Sequence, residues 1–135
     1  MLTRVDPGPA VVVCSTCRHS REARDDAEGV RGGARLAAAL TRLKAAEPRY
    51  AGIAVQEMAC LFACQDHCTV HLRAPGKIGY VLGRFQGDAD SARAILDYAV
   101  QYAASEHGRV AWSLWPEGVK GHFITRTPPP GFIAE

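Results

Sequence analysis

Five cysteines fall in two tight clusters, Cys14-Ser15-Thr16-Cys17 near the start and Cys60-x-x-x-Cys64-x-x-x-Cys68 in mid-chain. No other feature constrains the fold as strongly. A pair of thiolates from each of two distant segments supplies the four soft donors that an iron–sulfur cluster or a structural zinc requires. The chain must then fold so that these segments meet. Four clustered thiolates would repel one another without a cation, so such a site is either metallated or oxidised. Disulfide stapling fits poorly: the cysteine count is odd, and Met1 to Pro7 lacks the basic start, apolar centre and cleavage site of a secretory signal. A reducing cytoplasm is the expected location.

The 135 residues suit one domain with a core of its own. A hydrophobic fraction of 47% against 22% charged excludes a disordered chain. The net charge of +2 gives no argument for nucleic acid or a membrane surface. Arg18, Arg21 and Arg24 alternate with Glu22, Asp25 and Asp26, which reads as a solvated loop rather than a phosphate-binding patch. No apolar run approaches the roughly 20 residues of a membrane-spanning helix.

Ala10-Val11-Val12-Val13-Cys14, after Pro7-Gly8-Pro9, suits a strand buried on both faces. From Gly32 the pattern turns helical through Leu36, Leu40, Leu43 and Ala46 and stops before Pro48. Ile53 to Met58 reads as a second strand running into Cys60. Thr69–Arg73 and Ile78–Gly83 flank the turn residues Ala74-Pro75-Gly76-Lys77 and predict a hairpin. Asp88, Asp90 or Ser91 can cap a second helix with stripe Ala92, Ile95, Ala99 and Tyr102, closed by Gly108. Residues from Trp112 through Pro128-Pro129-Pro130 show no sustained period and predict an extended tail packed partly on the domain.

This β-α-β-β-β-α order resembles the thioredoxin-like α/β fold. A strand–helix–strand start implies parallel pairing, and the hairpin adds antiparallel strands to give a mixed sheet. The loops after the first two strands then emerge at one end of the sheet, where Cys14, Cys17, Cys60 and Cys64 can converge. The expected organisation is an N-terminal extension over 1–9, the domain over 10–108 and the tail over 109–135.

Cys60-Leu61-Phe62-Ala63-Cys64, set between a strand and a hairpin, resembles the Cys-Leu-x-x-Cys motif of thioredoxin-like [2Fe–2S] ferredoxins. That resemblance implies Cys14, Cys60 and Cys64 as cluster ligands, with Cys17 the candidate for the fourth, and it implies a homodimer. The spacing departs from those ferredoxins, which usually separate their first two cysteines by a longer loop. Cys14 to Arg18, Cys60 to Val70 and Arg126-Thr127-Pro128-Pro129 together resemble a bacterial family of small proteins described as predicted metal-binding and often encoded beside cobalamin-synthesis genes.

The expected function is that of a [2Fe–2S] one-electron carrier or a metal-site accessory in cobalamin metabolism, working with an unidentified redox or metal-transfer partner. The alternative is a non-redox protein that holds zinc or carries cobalt. Dithiol–disulfide chemistry ranks third, because helical spacing resumes only near Leu36 and Asp66-His67-Cys68-Thr69 lacks the proline that thioredoxins place there. Cys68 has three open roles: a ligand in place of Cys17, a thiol hydrogen-bonded to a cluster sulfur, or a buried small hydrophobe. His67 is either a ligand, a hydrogen-bond donor to sulfur, or solvated. His19, His71, His107 and His122 receive no role from their spacing. Trp112 and Trp115 either cover the core or dock a partner. No nucleophile–base pair, carboxylate pair or phosphate loop stands out, and Gly32-Gly33 lacks the rest of a P-loop. An enzyme is not expected.

Overall fold

The protein is described by a computed structural model covering residues 1–135. Strands β1 (Ala10–Cys14), β2 (Ala54–Met58), β3 (Val70–Arg73), β4 (Gly79–Leu82) and β5 (Phe123–Thr127) form one mixed sheet in the order β2-β1-β3-β4-β5. Helices α1 (Gly32–Ala46) and α2 (Ala89–Ala104) pack against each other and on the sheet. This is the thioredoxin-like arrangement that the order of sequence patterns implies.

The parallel pair β1–β2 aligns Ala10 with Ala54 and Cys14 with Met58, while β3 runs antiparallel to β1 on its other side. Central placement explains the uninterrupted apolar run of β1, every residue of which is buried. Val11, Val13, Val70 and Leu72 join Leu36 and Leu40 of α1 and Ile95, Tyr98 and Tyr102 of α2 in one core. Tyr102 satisfies its hydroxyl within that core by donating to the Ile78 carbonyl at 2.6 Å. Helix α2 is capped by Asp88, whose carboxylate accepts from Ser91 N at 2.9 Å. It ends at Ala104, short of Gly108, which sits at φ +91° in the following turn. No helix is long and apolar enough to cross a membrane.

The C-terminal tail is where the sequence expectation needs correcting. It does not merely lie on the domain: Phe123–Thr127 enters the sheet as β5, antiparallel to β4. A register shift between Val81 and Leu82 interrupts the alternation, which hides the strand from a period-2 pattern. Phe123 meets Tyr80, Tyr98 and Trp115 at ring-centroid distances of 5.5, 5.3 and 4.6 Å. Trp115 also donates its indole N–H to the Val110 carbonyl at 2.8 Å. It covers the core, whereas Trp112 is largely exposed beneath the Lys120 ammonium.

Candidate metal centre

The cysteine loops meet because parallel β1 and β2 end side by side. Ser15 N donates to Met58 O at 3.0 Å, and the Thr16 hydroxyl donates to Ala59 O, so the two loops are joined immediately beyond the strands. Cys17 N closes the first turn onto Cys14 O at 3.3 Å. Cys14 N is held in turn by Thr69 O at 3.0 Å.

Helix α1 begins directly against this turn, with Gly33 N donating to Cys17 O at 3.1 Å. A Cβ at Gly33 would lie 1.9 Å from Cys14 O, and one at Gly32 would lie 2.4 Å from Arg18 O. Only glycine permits so close a backbone approach. The intervening loop is open to solvent yet ordered: Asp26 accepts from Glu28 N at 2.8 Å, Val30 N at 3.0 Å and Arg35 Nε at 2.8 Å. The sequence argument that placed the cysteines away from a helix start is corrected by this docking. It rested on helical spacing resuming only near Leu36, but the loop folds back and returns the chain to the turn at Gly32 and Gly33.

Cys14 and Cys17 form the inner pair, only 2% and 4% exposed. Their mutual hydrogen bond holds the Cys14 thiol down to about 5 against the opposing effect of burial, assisted by the backbone N–H groups of Leu61 and Thr16. The same hydrogen bond, followed by burial, pushes the Cys17 thiol up. The Cys14 thiol also donates to Ala59 O at 3.9 Å, so the second cysteine loop packs directly on a sulfur of the first.

Cys60 and Cys64 form the outer pair. Cys60 is half-buried and Cys64 is exposed at the head of a single 3₁₀ turn, Cys64–Asp66. A hydrogen bond with Cys60 and the charge there raise the Cys64 thiol, with a smaller contribution from the charge at Cys14. Phe62 N donates to Cys60 Sγ at 3.3 Å. Phe62 adopts φ +58° and leaves its ring 95% exposed. Beside Cys64, the groove bounded by Leu61, Phe62, Val81 and Ile124 has a volume of about 510 Å³.

The four expected ligands thus stand as two pairs at one end of the sheet. No three His, Cys, Asp or Glu side chains converge on one point that could hold a single ion. Two sulfur pairs, with the Phe62 N–H aimed at Cys60, fit the donor set of a [2Fe–2S] cluster, whose two irons share four cysteines. A tetrahedral zinc would draw on the same four sulfurs, gathered around one centre.

Cys68 makes its hydrogen bond outside both pairs. It is fully buried at φ +48°, and its thiol donates to Arg18 O at 3.6 Å. Burial above all, then the charge at Cys14, pushes this thiol up to about 12. Burial and the Arg18 contact match the role of a buried small side chain. His67 keeps Nδ1 buried without a hydrogen-bond partner, and burial lowers its pKa, which favours the neutral ring. Sequence reasoning missed Thr69, Gly32 and Gly33. The glycine pair at a helix start was a legible signal of close approach, whereas nothing in Cys68-Thr69-Val70 marks the threonine.

A family profile described as DUF1636, a protein of unknown function, matches residues 11–129. The chain belongs to this family. Among solved structures, the chain is similar to a thioredoxin-like [2Fe–2S] ferredoxin from Aquifex aeolicus, with a TM-score of 0.56 and 16% identity over 95% of this chain and 100% of that one. At that identity the likeness establishes the fold. No curated protein sequence matches.

Proposed function

We propose that the chain is a [2Fe–2S] cluster-binding, ferredoxin-like protein, with Cys14, Cys17, Cys60 and Cys64 as ligands. The observation that carries this reading is the pairing of the thiols: an inner and an outer pair on adjoining loops that are hydrogen-bonded to each other, with the Phe62 N–H directed at the Cys60 sulfur. Bound there, the cluster would supply one-electron redox chemistry. The chain's own contribution is to exclude water from the inner pair, leave the outer pair accessible, and orient the Phe62 N–H dipole toward the Cys60 sulfur. Its role is electron carriage to a protein partner, or service at another metal site, rather than catalysis. The cytoplasm is the proposed compartment. Cobalamin metabolism is the setting implied by the resemblance in the cysteine and Arg-x-Pro-Pro motifs.

Protein prepared without oxygen should contain about two iron and two acid-labile sulfide per chain. Stoichiometric zinc without sulfide would overturn the reading. The inner pair also gives a specific observation in favour of dithiol–disulfide chemistry: a CxxC turn against a helix start, with one thiol held low and its neighbour high. Metal-free protein that reversibly forms a Cys14–Cys17 disulfide, with no iron taken up anaerobically, would select that alternative.

A further inference from the structure

Thr69 is the only fully buried residue among the serines, threonines, amides and charged side chains. A buried hydroxyl left without a partner is unfavourable, so its partner is informative. The only hydrogen bond made by this hydroxyl is to Cys17 Sγ, at 3.1 Å. The residue also holds Cys14 through its carbonyl, and thus grips both members of the inner pair.

Its orientation is built in. Cys68, at φ +48°, turns the chain into β3 immediately before Thr69. On the other side, a Cβ on Gly83 would stand 3.0 Å from the Thr69 methyl and 2.6 Å from Asp66 O. Gly83 therefore leaves the space that the methyl group fills. With the methyl lodged there, the hydroxyl is directed toward Cys17.

We infer that Thr69 tunes the reduction potential of the centre by donating its hydroxyl hydrogen bond to the Cys17 sulfur. This inference rests on the [2Fe–2S] reading. A thiolate bound to metal can only accept, so the donor must be threonine. Reduction adds one electron and places more negative charge on the sulfurs without making or breaking a covalent bond. A donor fixed in a dry site therefore stabilises the reduced state more than the oxidised one. Thr69 acts through Cys17 as a positioning residue.

The test compares anaerobically prepared wild type, Thr69→Val and Thr69→Ser by protein-film voltammetry, with iron, sulfide and the melting temperature of the metal-free form measured alongside. Thr69→Val preserves the shape and deletes the donor. It should make reduction about tenfold less favourable, lowering the potential by about 59 mV for a one-electron couple. Thr69→Ser should lie closer to wild type than to Thr69→Val, since the hydroxyl survives although the methyl that directs it is lost. If the valine variant takes up no cluster, Thr69→Ala replaces it and should show the same fall. Equal potentials in wild type and the hydroxyl-free variant overturn the inference, even if the metal-free melting temperature drops. So does failure of both Thr69→Val and Thr69→Ala to load while Thr69→Ser loads, because the hydroxyl would then serve assembly. Wild type without iron and sulfide would instead overturn the cluster reading itself.

Discussion

Gly33→Ala tests whether the helix start truly closes the cysteine turn. The added methyl would stand 1.9 Å from Cys14 O and 2.9 Å from Cys17 N, both main-chain atoms fixed by the sheet and the turn. Neither obstacle can swing aside as a flexible side chain would. Overpacking of this kind typically costs about 1–3 kcal/mol, and the rigid obstacle puts this site toward the upper end. Alanine's better helix propensity returns up to about 1 kcal/mol. The net expectation is a loss of about 2 kcal/mol, since the helix must retreat and weaken Gly33 N to Cys17 O. That corresponds to a fall in melting temperature of about 6–8 °C for a chain of this size. Metal content should fall with it, because the retreat moves the inner cysteines. Gly52→Ala is the control: nothing lies within 4 Å of its added methyl, and its φ is not positive. It should be neutral or stabilising by up to about 1 kcal/mol. Calorimetry and urea denaturation on both variants decide the matter. A Gly33→Ala protein as stable as wild type, with unchanged metal content, would refute the close docking.

Cys14→Ala, Cys60→Ala and Cys64→Ala should each abolish stable cluster binding, and Cys17→Ala should impair it severely, as read from visible absorbance and iron content. Cys68→Ala should retain the cluster while lowering stability by about 1–2 kcal/mol, as expected for trimming a buried small side chain. Loss of the cluster in Cys68→Ala with retention in Cys17→Ala would reverse the ligand assignment. For pH dependence, backbone N–H groups, Val30 foremost, and Arg35 hold Asp26 down to about 2 from the ordinary 3.8. Its stabilisation is fully present above the unfolded value and is lost as pH falls through the folded one. Thermal melts should therefore show wild type losing more stability than Asp26→Asn between pH 4 and pH 2.

The legible parts of the sequence were those whose pattern repeats. The Val11–Val13 run, the Leu36–Leu40–Leu43 stripe and the two flanks of Pro75-Gly76 each reported one burial environment over several residues. The cysteine spacing likewise anticipated that residues 14–17 and 60–64 would approach, because parallel strands deliver their following loops to the same edge. Phe123–Thr127 escaped because its pairing crosses a register shift and its outer residues are polar. Thr69 escaped for another reason: its significance lies in contacts across 52 positions to Cys17 and across the sheet to Gly83. Neither contact leaves a local pattern. Gly32-Gly33 was visible, but compared with a phosphate loop it suggested nothing; the relevant question was which backbone needed the space.

The difference in burial between the two cysteine pairs gives the centre a direction. Cys14 and Cys17 face the interior at 2% and 4% exposure, while Cys64 lies in the open. Water therefore reaches the outer sulfurs far more readily than the inner ones. On the proposed reading, chelators, oxidants and a protein partner would meet Cys64 before Cys14 or Cys17, so traffic in ions or electrons would share its entrance with chemical damage. Sensitivity to air and competence for exchange are then two measures of the same opening, and a change that narrows it would alter both together.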